Sequence, residues 1–311
     1  MAKDTAPLLM QQRRFAFKIE TTTGTYETLA AANAVTRVYN PSFTQAIEQV
    51  ERENNASLSN RKREFGARAA SVSFTTLVHG SGATLPYWSN LLLACGMEAT
   101  DGVFTPKTGA TDTLSLGGFM TGRSKYVIGA MGNGVLTSRR GQAAQIDWTF
   151  NGKWKLPDST NVTGITYDST ISPRGATITL DGQTYRMPEV VFDFGNNVIL
   201  REDDNELTTG YRAAYITARA PRVRFSPEAL PLATKNWFLD HINSETFPMT
   251  MTIGTTAGNQ IIVDFPQLQL IDPPNEEDRD GMMADALEFM PVQDTDDGDD
   301  EYSIEITTEA P

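Results

Sequence analysis

The stretch GQAAQIDWTF, residues 141–150, puts Ala144, Ile146, Trp148 and Phe150 on one side of an extended chain and Gln145, Asp147 and Thr149 on the other. A period of two is what a strand with one buried face requires. Ile178 and Leu180 alternate in the same way with Thr177 and Thr179, and Ile261, Val263 and Phe265 keep a common parity. Beyond Pro266 that parity switches to Leu268 and Leu270, as a bulge or bend at the proline produces. Glycines and prolines punctuate these runs at short intervals, the pattern of a sandwich or barrel. The predicted fold class is mainly β.

Two stretches carry helical spacing instead. Within 85–95, Trp88, Leu91, Leu92 and Cys95 fall at i, i+3, i+4 and i+7, with Gly96 where a C-terminal cap belongs. Thr234 to Ile242 is predicted as a second helix, capped by Thr234 and burying Trp237, Phe238 and His241. Gln45 to Glu53 is a third helical candidate, and its continuation NNASLSNRKR has the polarity of a mobile loop.

The chain has 311 residues, 40% of them hydrophobic and 21% charged, which excludes wholesale disorder. A single cysteine, Cys95, excludes an internal disulfide, and two histidines beside it are too few for a dedicated zinc site. No run approaches the ~18 apolar residues that span a bilayer, so no membrane insertion is expected. The opening MAKDTAPLLMQQRRF lacks the apolar core of a secretory signal. The expectation is a soluble protein folded in a reducing compartment. Charge is uneven: from Asp272 to Pro311 there are 15 acidic residues and one base, Arg279, whereas residues 1–271 hold 25 bases and 24 acids. The formal charge of −13 therefore describes the C-terminal segment, which has the composition of a solvated tail and loop.

ARAASVSF at 67–74 and ARAPRVRF at 218–225 share five of eight residues. Each precedes a predicted helix that holds a tryptophan, Trp88 or Trp237. Each helix is followed by a glycine that leads into an alternating strand. Gly141 leads to Ile146, Trp148 and Phe150, and Gly281 leads to Leu287 and Phe289. The shared order of strand, helix and strands predicts an internal duplication. A first domain then covers 1–157, with an N-terminal arm and a loop at 44–66. A linker or extra hairpin covers 158–184, and a second domain with the acidic segment covers 185–311. Tandem sandwich or barrel domains, each with one short flanking α-helix, are expected.

Motifs that would carry chemistry are weak. GGFMTGRS at 117–124 has the glycine spacing of a phosphate loop, but Arg123 stands where that loop needs lysine and a strand pattern follows where a helix should begin. A hairpin turn is the better reading. DTDDGDDE at 294–301 places its glycine one position early for an EF-hand. His79 and Ser81 lie close in sequence without the strand-to-helix elbow of a serine nucleophile. No catalytic, metal or cofactor residues are assigned, and no cofactor is expected. The basic clusters Arg61, Lys62, Arg63 and Arg139, Arg140 lack interleaved aromatics for stacking nucleic acid. Pairing with the acids Asp296, Asp297, Asp299 and Asp300 of a neighbouring subunit is one role for them, and solvation is the other.

KYVIGAMGNGVL at 125–136, continuing through GQAAQIDWTFNG at 141–152, resembles the major tail tube proteins of long-tailed bacteriophages. IETTTGT at 19–25, VYNPSF at 38–43 and GARAASVSFT at 66–75 add to the likeness, which is strong over 13–157 and looser afterwards. The resemblance implies a tube-domain hairpin around Gly129, Gly132, Asn133 and Gly134. It also implies a virion tail component assembled in the host bacterial cytoplasm. Its partners would be its own copies, a tape measure protein, a tail terminator and distal tail proteins, with double-stranded DNA passing through unbound.

A duplicated chain would close pseudo-sixfold rings as a trimer, whereas a hexamer would carry the second half as outer decoration. The segments 44–66 and 272–301 are the candidates to order on stacking, so a chain cut after Met290 is expected to fold but polymerise poorly. A bore of negative potential would repel phosphates. A tail terminator, a capsid decoration protein, and a β-sandwich carbohydrate-binding module or hydrolase remain the alternatives.

Overall fold

The computed structural model describes residues 14–50, 62–120, 122–165 and 170–308; Arg61 and the middle of the 44–66 loop, 51–61, lie outside these. The first half contributes β1 (Arg14–Ile19), β2 (Val38–Val50), β3 (Glu64–Leu77), α1 (Asn90–Leu93), β4 (Met97–Thr100), β5 (Val103–Pro106), β6 (Leu114–Met120), β7 (Arg123–Arg139) and β8 (Gln145–Asp158). The second contributes β9 (Ala176–Leu180), β10 (Gln183–Thr184), β11 (Glu189–Asp193), β12 (Asn196–Glu202), β13 (Tyr211–Arg219), β14 (Arg222–Phe225) and α2 (Trp237–Ile242). It continues with β15 (Thr246–Ile253), β16 (Ile261–Leu270), β17 (Asn275–Arg279), β18 (Met282–Pro291) and β19 (Ser303–Ile306). The protein is mainly β, as the alternation predicts.

The principal sheet runs in the order β2–β3–β8–β7–β11–β14–β18–β17, every pair antiparallel. The parity read at 144–150 holds throughout, because successive side chains of a strand face opposite ways. Ile146, Trp148 and Phe150 are buried, as are Val72 and Phe74 of β3, Val223 and Phe225 of β14, and Leu287 and Phe289 of β18. The opposite face is polar, with Asp147, Arg139, Glu189, Arg224 and Glu288. A second sheet, β10–β9–β15–β16–β19–β5–β4, covers the buried face. Phe192 of β11 meets Phe265 of β16 with ring centroids 4.8 Å apart, and Tyr302 at 4.9 Å. One continuous hydrophobic cluster runs from Phe15 to Ile306 across both halves. The proline slip in β16 is a bulge: Phe247 pairs with Leu268 and Met249 with Phe265, so Phe265 and Leu268 both face inward.

Several expectations need correction. Residues 45–50 belong to strand β2 and not to a helix, because β2 pairs with β3 from Val38 to Val50 and this pairing overrides local propensity. Gly129, Gly132, Asn133 and Gly134 lie inside β7, and the turn of the β7–β8 hairpin comes later, around Gly141. Their glycines serve packing instead. A Cβ on Gly134 would stand 2.5 Å from the Phe194 ring, and one on Gly132 would stand 2.4 Å from Phe150. The first helix is a 3₁₀ turn, Tyr87–Ser89, followed by the single turn of α1, although Trp88, Leu91, Leu92 and Cys95 are all buried. The cap of α2 is Asn236, whose side chain accepts from the Leu239 amide, and not Thr234. Phe238 is left exposed because Trp237 alone fills the core there, edge-on to Phe247 and Phe289.

The acidic C-terminal segment is more than a tail. β19 is inserted between β16 and β5, and Tyr302, Ile304 and Ile306 are each at most 2% exposed. Each such side chain contributes roughly 1.5–3 kcal/mol by burial, against a total stability of about 5–15 kcal/mol. The expectation that a chain cut after Met290 folds normally is therefore withdrawn. Such a chain should lose about 5–8 kcal/mol and show no cooperative thermal transition by circular dichroism. A cooperative melt within a few degrees of the full-length protein would contradict the role given to β19.

Candidate functional site

An open antiparallel sheet ends in two strands whose outer backbone groups need partners. Among the described residues β2 is paired with β3 alone and β17 with β18 alone. β17 reads NEEDR and exposes Glu276, Glu277 and Asp278. Beside it, burial and then the charge of Glu276 push the Asp285 carboxyl above the ordinary aspartate range.

The two halves of the principal sheet match in register. In the first, Phe43 faces Val72, Val72 faces Phe150, and Phe74 faces Trp148. In the second, Phe192 faces Val223, Val223 faces Phe289, and Phe225 faces Leu287. The strand series β2, β3, β8, β7 and β11, β14, β18, β17 correspond pair by pair. The ARAASVSF and ARAPRVRF segments fall at equivalent places, with Val72 and Phe74 matching Val223 and Phe225. Both hairpins turn at a glycine of positive φ, Gly141 in the first and Gly281 in the second.

The halves meet where β7 pairs with β11. Leu136 faces Phe192 and Arg139 faces Glu189. Arg139 clamps Glu189 through Nε at 3.0 Å and Nη2 at 2.7 Å, and these hydrogen bonds, then the charge of Glu189, hold the guanidinium above its ordinary range. Asn133 ties the same seam from within, donating to Asp193 Oδ1 at 2.7 Å and accepting from the Asn196 amide at 3.0 Å. Gly129 takes φ +60 at the β7 bulge, and its amide donates to the buried Glu20 carboxylate at 2.7 Å. Arg140 is exposed, and its amide donates to Pro188 O.

The proposed acidic partners are used differently. Asp299 accepts from Thr108 N and Oγ1 and pairs with Arg219 at 2.7 Å. Glu301, which the sequence did not single out, holds the other side of Arg219 at 2.5 Å. Asp300 caps its own loop through the amides of Asp294 and Thr295. Asp296 and Asp297 are exposed at the loop tip, far in sequence from Lys62 and Arg63 at the β2–β3 hairpin, where Arg63 donates to Gln49. Among the described residues no ion pair within the chain joins Lys62, Arg139 or Arg140 to Asp296, Asp297, Asp299 or Asp300.

The remaining motifs are structural. His79 is buried with Nδ1 at its neighbour Gly80 O, while Ser81 donates to Thr84 O, so the two side chains do not pair. GGFMTGRS forms the β6–β7 hairpin. Among the described residues no three His, Cys, Asp or Glu side chains could share a metal ion. No helix among them is long and apolar enough to cross a membrane.

A twofold series of strands on one sheet, open at both ends among the described residues, defines a β-sheet protein. The chain belongs to the phage tail tube protein family, whose sequence model matches residues 10–307. A search of curated proteins finds no match. Membership makes the chain a structural component of the virion tail and not an enzyme.

Arg219 gives a test of the acidic loop. Burial alone would raise the Asp299 carboxyl, but hydrogen bonds from Thr108 and Arg219 outweigh it and hold the group below its ordinary range. A carboxylate with a lowered folded pKa contributes stability above its unfolded value of ~3.9 that is lost as pH falls through the folded value. Arg219→Ala should cost roughly 1–3 kcal/mol at pH 7. The difference between variant and parent in urea denaturation should shrink as the pH drops below ~4. A difference that stays constant to pH 2 would contradict this.

Proposed function

We propose that the protein is the major tail tube subunit, and that three copies close each ring of a hollow conduit for phage DNA. The observation that carries this reading is the register match between the two strand series. A chain that supplies two equivalent wall segments needs half as many copies to close a ring, and a contact repeated by a rotation that divides the circle closes. A hexamer with the second half as decoration fits less well, because β11, β14, β18 and β17 extend the same sheet instead of covering it from outside.

The polar face of the principal sheet suits a bore. Two of its bases are held by acids across strand pairs, Arg139 by Glu189 and Arg224 by Glu288. Bases engaged in this way offer phosphates few of the contacts that make nucleic-acid binding tight and salt-dependent. The acidic tip residues Asp296 and Asp297 and the basic Lys62 and Arg63 remain candidates for contacts between rings. The tape measure, terminator and distal tail proteins would then meet the ends of the stack.

Electron microscopy of the purified protein in negative stain tests the reading. Rings and tubes with a regular axial repeat are expected, lengthening with protein concentration. Closed oligomers that never elongate would point to a terminator or decoration protein, and a discrete monomer under all conditions would overturn assembly altogether.

A further inference from the structure

We infer that a buried water bridges Tyr302 Oη and Asn196 Oδ1 beside Cys95, and so ties the end of the chain to the junction of its two halves. The site lies within one subunit and is independent of the tube reading. Tyr302 is 1% exposed, and its hydroxyl has no hydrogen-bond partner among the described residues. Asn196 Oδ1 is buried in the same condition. The orientation of that amide is fixed. Asn196 Nδ2 donates to Cys95 O at 2.7 Å and to Gly132 O at 3.0 Å, and a flipped amide would set oxygen against oxygen. Oδ1 therefore needs a donor, and the Tyr302 hydroxyl has a proton to give.

Three connections bring the two groups together. Asn196 holds the Cys95 carbonyl directly. Across β12 and β13 it faces Arg219, whose Nε donates to Glu301, the residue before Tyr302. Burial pushes the Tyr302 phenol above its ordinary range; the charge of Arg219 opposes this, and Glu301 and Cys95 add to it, so the hydroxyl lies among the same neighbours as Asn196. A cleft of about 290 Å³ opens beside them, and its lining includes Gly96, Arg219 and Glu301. Gly96 follows Cys95 in sequence, and Glu301 precedes Tyr302.

Buried polar groups are rarely left unpaired, because each forfeits the bonds it makes to water in the unfolded chain. A donor and an acceptor that share one neighbourhood without bonding directly are the case a bridging water serves. The water accepts from Tyr302 Oη and donates to Asn196 Oδ1, and the second lone pair of the Cys95 carbonyl takes its other proton. Three bonds is the usual number for an interior water. The bridge joins residues 95, 196 and 302, three segments far apart in sequence, and fastens the start of β19 to the start of β12.

Two measurements on the full chain test the site. A high-resolution crystal structure should show a density peak within about 3.2 Å of both Tyr302 Oη and Asn196 Oδ1. Tyr302→Phe keeps the ring and removes one bond of the water, so its thermal midpoint should fall by about 1–5 °C. An orphaned hydroxyl gives the opposite sign, because removing an unpaired buried polar group relieves its desolvation cost. No peak, a direct hydrogen bond between Tyr302 and Asn196, or a variant that melts at or above the parent's midpoint would overturn the inference.

Discussion

The hydrogen-bonded seam between β7 and β11 is the contact on which the rest of the structure depends. Without it the principal sheet would be two short sheets, β2–β3–β8–β7 and β11–β14–β18–β17. With it, the backbone groups of both inner edges are satisfied and one polar face extends across the molecule. The seam is reinforced at one end by the Arg139–Glu189 clamp and at the other by the Asn133 bonds to Asp193 and Asn196. It also sets Phe192 and Phe194 at the centre of the core, where the first half supplies Trp148 and the residue just before β19 is Tyr302.

That arrangement makes the two halves interdependent. The second sheet draws β4 and β5 from the beginning of the chain, β15 and β16 from the second half, and β19 from its end. Neither half can therefore complete its part of the second sheet without the other. The α2 helix and its single buried tryptophan close the end of this core, while the exposed face of α2 carries Phe238, Leu239 and Ile242.

Much of this was legible from residue patterns. The alternation at 144–150 and 261–270 gave the strands and their buried faces, including the proline bulge. The repeated ARA segment pointed to equivalent positions that the registers of β3 and β14 reproduce. Other features were hidden for physical reasons. Residues 45–50 have helical composition, and only pairing with β3 makes them a strand. The rings of Phe150 and Phe194, which pack where Gly132 and Gly134 lack a side chain, are set by pairings that local sequence does not encode. The placement of β19 depends on contacts some two hundred residues distant in sequence, which local periodicity does not encode. The acidic composition of 294–301 suggested solvation, and only the fold shows Arg219 there to gather Asp299 and Glu301. The edge strand β17 did leave a trace, the Asp280-Gly281 pair, whose positive φ values of 53° and 84° make a tight hairpin turn.

The central claim is that one chain contributes two equivalent segments of tube wall. Mass per unit length, measured on assembled tubes by scanning transmission electron microscopy, multiplied by the axial repeat and divided by the chain mass of 34.1 kDa, counts the chains in each ring. Three chains per repeat is the value the account predicts. Six chains per repeat would contradict it, because the second strand series would then lie outside the wall.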